Sequence, residues 1–153
     1  MKVLLGIDGS KCSEQALETL IQQYKAPETE VLVLHAVESV KLMPPSYTYG
    51  LGSAFAQDYT AILQEWRRQG AELASRAVDR LRTAGFKSLA HVAEGDAREL
   101  ILERARNWHA DVILLGSHGR SGLDRFLLGS VSESIVRHAP CAVEIVRAPA
   151  SAA

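Results

Sequence analysis

The chain has 153 residues, of which 47% are hydrophobic and 23% charged, a balance that argues against intrinsic disorder. Its formal net charge is −1 and its basic residues are spread along the sequence, so we expect no nucleic-acid partner. The two cysteines form no CxxC pair and no stretch approaches the ~20 apolar residues of a membrane span, so we expect a cytoplasmic protein with reduced thiols and no membrane association.

The first elements along the chain alternate between strand and helix patterns. Residues 2–7 form an apolar run typical of a strand, and residues 30–37 form a second run that is rich in Val and Leu. Between them apolar residues recur at the spacing of one helix face: Ala16, Leu17, Leu20, Ile21 and Tyr24. We interpret Ser10 and Ser13 as helix caps rather than nucleophiles.

The middle of the chain predicts a long helix between an irregular segment and a third strand. Prolines and glycines within residues 39–52 argue against a regular element, and we expect this segment to order over a bound ligand. A helical pattern then runs from Tyr59 to Leu81, and Gly85 is placed to end it. Residues 88–94 form the third apolar run.

The last part of the chain repeats this alternation. A third helical pattern precedes a strand at residues 111–116, and a fourth, ended by Pro140, precedes a strand at residues 142–147. Trp66 and Trp108 fit the core-facing sides of their helices better than a stacking platform for a ligand.

Strict alternation of strand and helix predicts an α/β fold with a parallel sheet. We expect residues 1–148 to form a single domain and residues 149–153 to be a frayed tail. Open α/β sheets bind ligands beyond the carboxyl ends of their strands, where the strand order reverses. We therefore expect a site among residues 8–10, residues 36–38 and the loop after Leu115.

The loop after the fourth strand is rich in glycine. Its glycines are Gly116, Gly119, Gly122 and Gly129. A flexible loop before a helix can aim several backbone N–H groups at one anion, and the helix adds about half a unit of positive charge at its first turn. Ser130 and Glu133 have the spacing of a capping box. These residues could serve only turns and a cap, but their convergence with basic residues at the expected ligand site favours phosphate binding.

Several other kinds of site are disfavoured. No Lys follows the glycines as in a Walker A loop, and the first strand lacks the G-x-G-x-x-G dinucleotide fingerprint. The histidines are scattered, and no serine nucleophile elbow is visible, so we predict no metal ligand and no catalytic residue. We interpret His35 as a satisfied histidine at a strand end, and His118, Arg120 and Arg125 as accessories to the backbone.

The glycine spacing resembles that of a known family. Gly116-Ser-His-Gly119, followed after nine residues by Gly129-Ser130, is similar to the G-x-x-G-x9-G-[ST] signature of the ATP-binding branch of the universal stress proteins. The likeness runs from Asp8-Gly-Ser through nearly the whole chain. It implies a Rossmann-like open sheet of five parallel strands in the order 3-2-1-4-5, with helices on both faces.

The resemblance also implies how a nucleotide would be held. Asp8 would bond near the adenosine, and the backbone of Ala36, which stands where Val is common, would meet the adenine edge. Leu115, Gly116 and Gly119 would line the ribose and first phosphates beside Arg120, and Gly129, Ser130, Val131 and Ser132 would hold the phosphate tail.

The resemblance finally implies an assembly and a function. The family forms homodimers through an antiparallel pairing of the last strand, although Glu144 places a charge among Val143, Ile145 and Val146. We expect an ATP-binding regulatory stress-response protein that takes ATP with Mg²⁺, hydrolyses it slowly or not at all, and signals to a downstream partner. The alternative is a dimeric interaction protein of the same fold that binds no nucleotide. A transferase is disfavoured because no catalytic pair is visible.

Overall fold

The computed structural model describes residues 1–38, 53–119 and 128–148. Its strands are β1 (Lys2–Gly6), β2 (Glu30–Val37), β3 (Lys87–Glu94), β4 (Val112–Gly116) and β5 (Ala142–Val146). Its helices are α1 (Lys11–Gln23), α2 (Ser53–Thr83), α3 (Ala97–Trp108) and α4 (Ser130–His138), with a 3₁₀ turn at Ala26–Glu28. The segment expected to cover a ligand and the expected frayed tail lie outside the described residues. Among the described helices, none has both the length and the hydropathy of a membrane-spanning segment.

The five strands form one parallel sheet in the order β3-β2-β1-β4-β5. This confirms the predicted fold class and strand order. The order reverses between β1 and β4, and such a reversal leaves a crevice at the carboxyl ends of the two strands. The strands β3 and β5 lie at the two edges of the sheet.

Helices cover both faces of the sheet and enclose one hydrophobic core on each. On the face covered by α1 and α2, the core includes Val3, Leu5 and Val33. On the face covered by α3 and α4, it includes Leu4 and Ile113. Successive residues of β1 therefore point alternately into two hydrophobic cores. This explains why its sequence shows no alternation of apolar and polar residues.

The helix ends largely follow the sequence signals. The hydroxyl of Ser10 accepts a hydrogen bond from the Ser13 N–H at 3.2 Å and caps α1. Ser13 lies within the first turn, where its own hydroxyl donates to the Ser10 carbonyl. Gly85 has a φ of +91° just after α2, and its N–H donates to the carbonyl of Arg82 at 2.9 Å. A left-handed residue at this position is what ends the helix, as predicted.

Helix α2 is much longer than the strands that it covers. Its 31 residues, at 1.5 Å each, span about 46 Å, whereas the 8 residues of β2 span about 26 Å. Its C-terminal half packs into the core through residues such as Ala74 and Leu81. An ion pair between Arg67 and Glu94 fastens α2 to the end of β3. The part of α2 before this ion pair therefore extends past the carboxyl edge of the sheet.

The charge within the last strand lies against the end of α1. The Tyr24 hydroxyl donates a hydrogen bond of 2.6 Å to a carboxylate oxygen of Glu144. Burial and this bond to a carboxylate raise the pKa of Tyr24 above its ordinary value. Val143 and Ile145 pack on the opposite face, against the core under α3 and α4. Glu144 is thus held on one face of the sheet by a neutral partner.

Candidate functional site

A cavity of about 570 Å³ opens at the carboxyl ends of β1, β2 and β4. Cavities that hold small molecules usually measure roughly 300 to 1,000 Å³. The strand ends and the loops after them form its floor. The starts of α3 and α4 form one side, and residues 66–70 of α2 form another. Apolar side chains contribute much of the lining, among them Ile7, Leu34, Ile101 and Leu115. The cavity lies where the strand order predicts a ligand site.

Nine of the ten residues predicted for the site line this cavity. They are Asp8, Ala36, Leu115, Gly116, Gly119, Gly129, Ser130, Val131 and Ser132. The tenth, Arg120, lies outside the described residues, as do Gly122 and Arg125. The tertiary structure therefore brings together residues that are more than 120 positions apart in the sequence. Their contact with a ligand remains a prediction.

The two carboxylate oxygens of Asp8 face different parts of the site. Its Oδ1 accepts a hydrogen bond from the Ser10 N–H at 2.9 Å, which closes the turn after β1. Its Oδ2 faces the glycine loop, because a Cβ built on Gly119 would lie 2.9 Å from it. The carboxylate thus stabilises the turn and also presents an acceptor at the cavity beside Gly119.

Gly116 stands at a close crossing between the end of β4 and the start of α1. A Cβ built there would lie 2.6 Å from the carbonyl carbon of Cys12 and 2.7 Å from the amide nitrogen of Ser13. Real Cβ atoms do not approach backbone this closely, so only glycine lets α1 begin where it does. The sequence predicted a ligand contact at Gly116 and missed this packing requirement.

The N-terminus of α4 has no side-chain cap among the described residues. Gly129 occupies the N-cap position, and no side chain in the described ranges caps the helix. The predicted capping box of Ser130 and Glu133 is therefore wrong, because Ser130 is already the first helical residue and its side chain is past the capping position. The first turn of an uncapped helix keeps N–H donors and a positive potential for an external acceptor.

Close contacts hold the glycine loop against this helix start. The Gly129 N–H donates to the Ser117 carbonyl at 2.8 Å. A Cβ on Gly129 would lie 3.3 Å from that carbonyl oxygen and 3.4 Å from the Cα of His118. The hydroxyl of Ser132, predicted to hold phosphate, donates to the Gly116 carbonyl at 2.8 Å and is buried. Ser132 thus ties α4 to the end of β4.

His118 presents an unsatisfied ring nitrogen at the same place. Its Nδ1 lies 2.9 Å from the Ser117 hydroxyl, and that hydroxyl donates to the Cys12 sulfur at 3.6 Å. Its Nε2 is buried and has no hydrogen-bond partner among the residues that the structure describes. A buried polar atom without a partner is unfavourable, and a bound polar ligand would remove that penalty.

The charge of the cavity is set by backbone groups and a few side chains. Its described lining contains the titratable residues Asp8, His35, Glu38 and His118, and no Lys or Arg. Glu38 accepts a hydrogen bond from the Ala97 N–H at the start of α3. Within the described ranges, no group of His, Cys, Asp or Glu could hold a metal ion. An anion here would therefore be stabilised mainly by N–H groups and the α4 terminus.

The sequence missed the wall contributed by α2. Trp66, Gln69 and Gly70 line the cavity, and Trp66 belongs to neither hydrophobic core. The expectation that Trp66 faces the core is wrong, because Trp66 lies just before the Arg67–Glu94 ion pair, where α2 reaches the carboxyl edge of the sheet. Trp108 does pack against the core under α3, as predicted. Gly70, a helix-disfavouring residue within a long helical pattern, was the available signal.

Residues 1–147 match the sequence model of the universal stress protein family. The chain is 29% identical over 148 residues to universal stress protein YxiE of Bacillus subtilis, with 95% of this chain and 98% of that protein covered. It is 28% identical over 149 residues to universal stress protein Sll1388 of Synechocystis sp., with 95% and 97% covered.

Solved structures with the same fold include complexes with nucleotides. The hypothetical protein MJ0577 superposes with a TM-score of 0.81 at 24% identity, covering 98% of this chain and 97% of that one. An Arabidopsis thaliana universal stress protein family protein with AMP bound gives 0.71 at 20% identity, covering 98% and 93%. A universal stress protein from Archaeoglobus fulgidus in complex with dAMP gives 0.66 at 18% identity, covering 95% and 97%.

Proposed function

The chain belongs to the universal stress protein family, and we propose that it is a cytoplasmic regulatory protein that binds ATP with Mg²⁺ in the cavity at the carboxyl ends of β1, β2 and β4. The observation that carries the proposal is the N-terminus of α4, which no side chain in the described ranges caps and which lies behind the glycine loop at one end of a cavity of suitable size. The AMP and dAMP complexes of proteins with this fold support an adenine nucleotide as the ligand.

The proposal assigns separate tasks to the cavity residues. Backbone N–H groups at the start of α4, from Ser130 to Ser132, would bind the phosphate tail, helped by Arg120. The Oδ2 of Asp8 would accept a hydrogen bond from the sugar, and the backbone of Ala36 would meet the adenine. The glycine loop fits this assignment because side chains on it would occupy the space between Asp8 and α4. Mg²⁺ would be carried by the phosphates themselves.

We propose that hydrolysis of the nucleotide is slow or absent. The Asp8 carboxylate closes the turn after β1, and the Glu38 carboxylate accepts from the start of α3. A general base must reach the attacking water beside the terminal phosphate and take its proton, whereas this proposal places Asp8 at the sugar and Glu38 at the start of α3. The bound nucleotide would then act as a signal that the protein passes to a partner.

Wild-type protein is expected to retain an adenine nucleotide through purification and to bind ATP in a single site after that nucleotide is removed. Mass spectrometry of the acid-released ligand and calorimetry with ATP and Mg²⁺ measure the two results. Titrations with adenosine and with tripolyphosphate are the controls, and each should bind more weakly than ATP because each fills half of the cavity. Absence of both retained nucleotide and binding heat would favour the interaction protein that binds no nucleotide.

We also propose a homodimer through the outer edge of β5. Among the described strands β5 is the last in the sheet, so one row of its backbone N–H and C=O groups pairs with no described strand and could pair with a second copy. Glu144 does not oppose this pairing as strongly as its sequence position predicts, since the Tyr24 hydroxyl neighbours its carboxylate. Val143 and Ile145 pack under α3 and α4 and hold the edge in place.

Light scattering after gel filtration is expected to give twice the monomer mass for the wild type. The Glu144→Val variant is the comparison, because it removes the charge and keeps a strand-forming side chain. It should also be a dimer. A monomeric wild type would refute the proposed dimer, and a dimer formed only by the variant would show that the charge prevents pairing.

A further inference from the structure

Helix α2 presents three residues of one helix face to the cavity. Trp66, Gln69 and Gly70 are spaced by three and four positions, so they lie on the same side of the helix. Trp66 is half-buried although it belongs to neither core. Next to Gly70 lies His35 of β2, whose side chain is only 8% exposed and also lines the cavity. This wall combines a flat aromatic ring with a buried imidazole.

The two ring nitrogens of His35 differ in their hydrogen bonding. The Nδ1 lies 2.9 Å from the carbonyl oxygen of Ile7, and a carbonyl can only accept, so Nδ1 carries the hydrogen of the neutral ring. The Nε2 is then an acceptor with a lone pair. It makes no hydrogen bond to any residue in the part of the chain that the structure describes. An acceptor in the wall of a cavity is suited to a ligand that donates.

Gly70 makes room for this ring at the expense of helix propensity. A Cβ built there would lie 2.5 Å from Cδ2 and 3.0 Å from Nε2 of His35. Glycine inside a helix is less favourable than alanine, and here it occurs within a helix of 31 residues. The bond from Nδ1 to Ile7 accounts for one side of the ring only. The missing side chain at Gly70 leaves room beside Nε2.

We propose that His35 is a specificity-determining residue whose Nε2 accepts a hydrogen bond from the exocyclic amino group of the bound base. This inference rests on the proposed function, because it requires a nucleotide in the cavity. An amino group donates to Nε2, whereas a keto oxygen at the same position would place two acceptors face to face and leave both unpaired. The α2 wall thus selects a 6-aminopurine over a 6-oxopurine, and the ring of Trp66 offers an apolar surface to the base.

The test compares ATP with inosine triphosphate, which carries a keto oxygen in place of the amino group. We expect the wild type to bind ATP at least about tenfold more tightly by calorimetry. The His35→Asn variant keeps an amide that can donate to the Ile7 carbonyl but lacks the acceptor at the Nε2 position. Its affinity for ATP should fall about tenfold, whereas its affinity for inosine triphosphate should change less than about twofold. Thermal unfolding checks that the variant is folded.

A second variant separates recognition from folding. Gly70→Ala improves helix propensity, and its methyl group displaces the imidazole, so it should lose discrimination while remaining folded. An unchanged ratio of the two affinities in both variants would overturn the inference. Equal binding of the two nucleotides by the wild type would overturn it as well and would leave the proposed function standing. A wild type that binds neither nucleotide would overturn the proposed function, and this inference with it.

Discussion

Replacement of Gly116 by alanine is expected to lower the free energy of unfolding by about 3 kcal/mol. The added methyl group would lie 2.6 Å from the carbonyl carbon of Cys12 and 2.7 Å from the Ser13 amide nitrogen. These are backbone atoms in the first turn of α1, so they cannot rotate away as a side chain can. Relief requires α1 to move off β4, which loosens the core shared by the two elements.

Urea unfolding followed by circular dichroism measures this loss, which corresponds to a fall in Tm of roughly 10 °C for a chain of this size. Gly119→Ala is the matched control in the same loop. Its methyl group would meet the Oδ2 of Asp8 at 2.9 Å, and a carboxylate can shift by rotation. We expect the control to lose less than about 1 kcal/mol. Equal stability of the Gly116→Ala variant and the wild type would contradict the close approach of β4 and α1.

Gly129→Val is expected to weaken ATP binding by about a hundredfold or more while leaving the fold intact. The φ of Gly129 is −64°, which any residue adopts, so the backbone of the variant is not strained. Loss of glycine at the N-cap costs only about 1 kcal/mol. The branched side chain, however, stands at the junction of the loop and the first turn of α4, where we propose that the phosphates bind. A hundredfold loss corresponds to about 2.7 kcal/mol of binding free energy.

A graded series distinguishes obstruction of the ligand from damage to the loop. In Gly129→Ala, the Cβ is 3.3 Å from the Ser117 carbonyl oxygen, which requires a shift of a few tenths of an ångström and adds no branch. Calorimetry should therefore rank ATP affinity as wild type, then alanine, then valine, with similar unfolding curves for all three. Wild-type affinity in the valine variant would refute the proposed phosphate position.

These two glycines belong to one sequence signature but meet different physical requirements. Gly116 is required by packing against α1, and this requirement exists without any ligand. Gly129 has ordinary backbone angles, and a Cβ there would lie 3.3 Å from the Ser117 carbonyl oxygen. We therefore expect its lack of a side chain to matter chiefly for a ligand that approaches the N-terminus of α4. Substitution of Gly116 should therefore mainly lower the free energy of unfolding, and substitution of Gly129 should mainly lower the affinity for the ligand.

The fold was predictable because strong local patterns agreed with one another. The apolar runs of β2 and β4 are nearly continuous and rich in branched residues, which indicates strands buried on both faces. Helical periodicity separated every pair of strands, and Gly85 ended α2 where its left-handed φ was needed. The order of the strands came from the family resemblance, since alternation alone leaves several right-handed arrangements open.

The candidate site was predictable in part. The residues after β1, β2 and β4 could be assigned because strand ends of a parallel sheet meet at one edge. The capping box at Ser130 was predicted wrongly, since a shift of one residue at a helix start moves the capping position to Gly129. The proximity of the Asp8 carboxylate to Gly119 could not be predicted, because the local sequence of two separate loops does not tell how far apart they lie in the fold.

The alternation of elements, the two buried faces of the sheet and the edge at which a ligand would bind could all be predicted, because they follow from hydrophobic periodicity and turn chemistry along the chain. The contacts between residues at that edge could not be predicted, because they depend on how the helices pack on the sheet. The length of α2 carries Trp66 to the carboxyl edge of the sheet and out of the core, and Gly70 meets His35 across two elements. Such contacts depend on how far one element extends beyond another. This is a property of packing, and the periodicity of apolar residues does not report it.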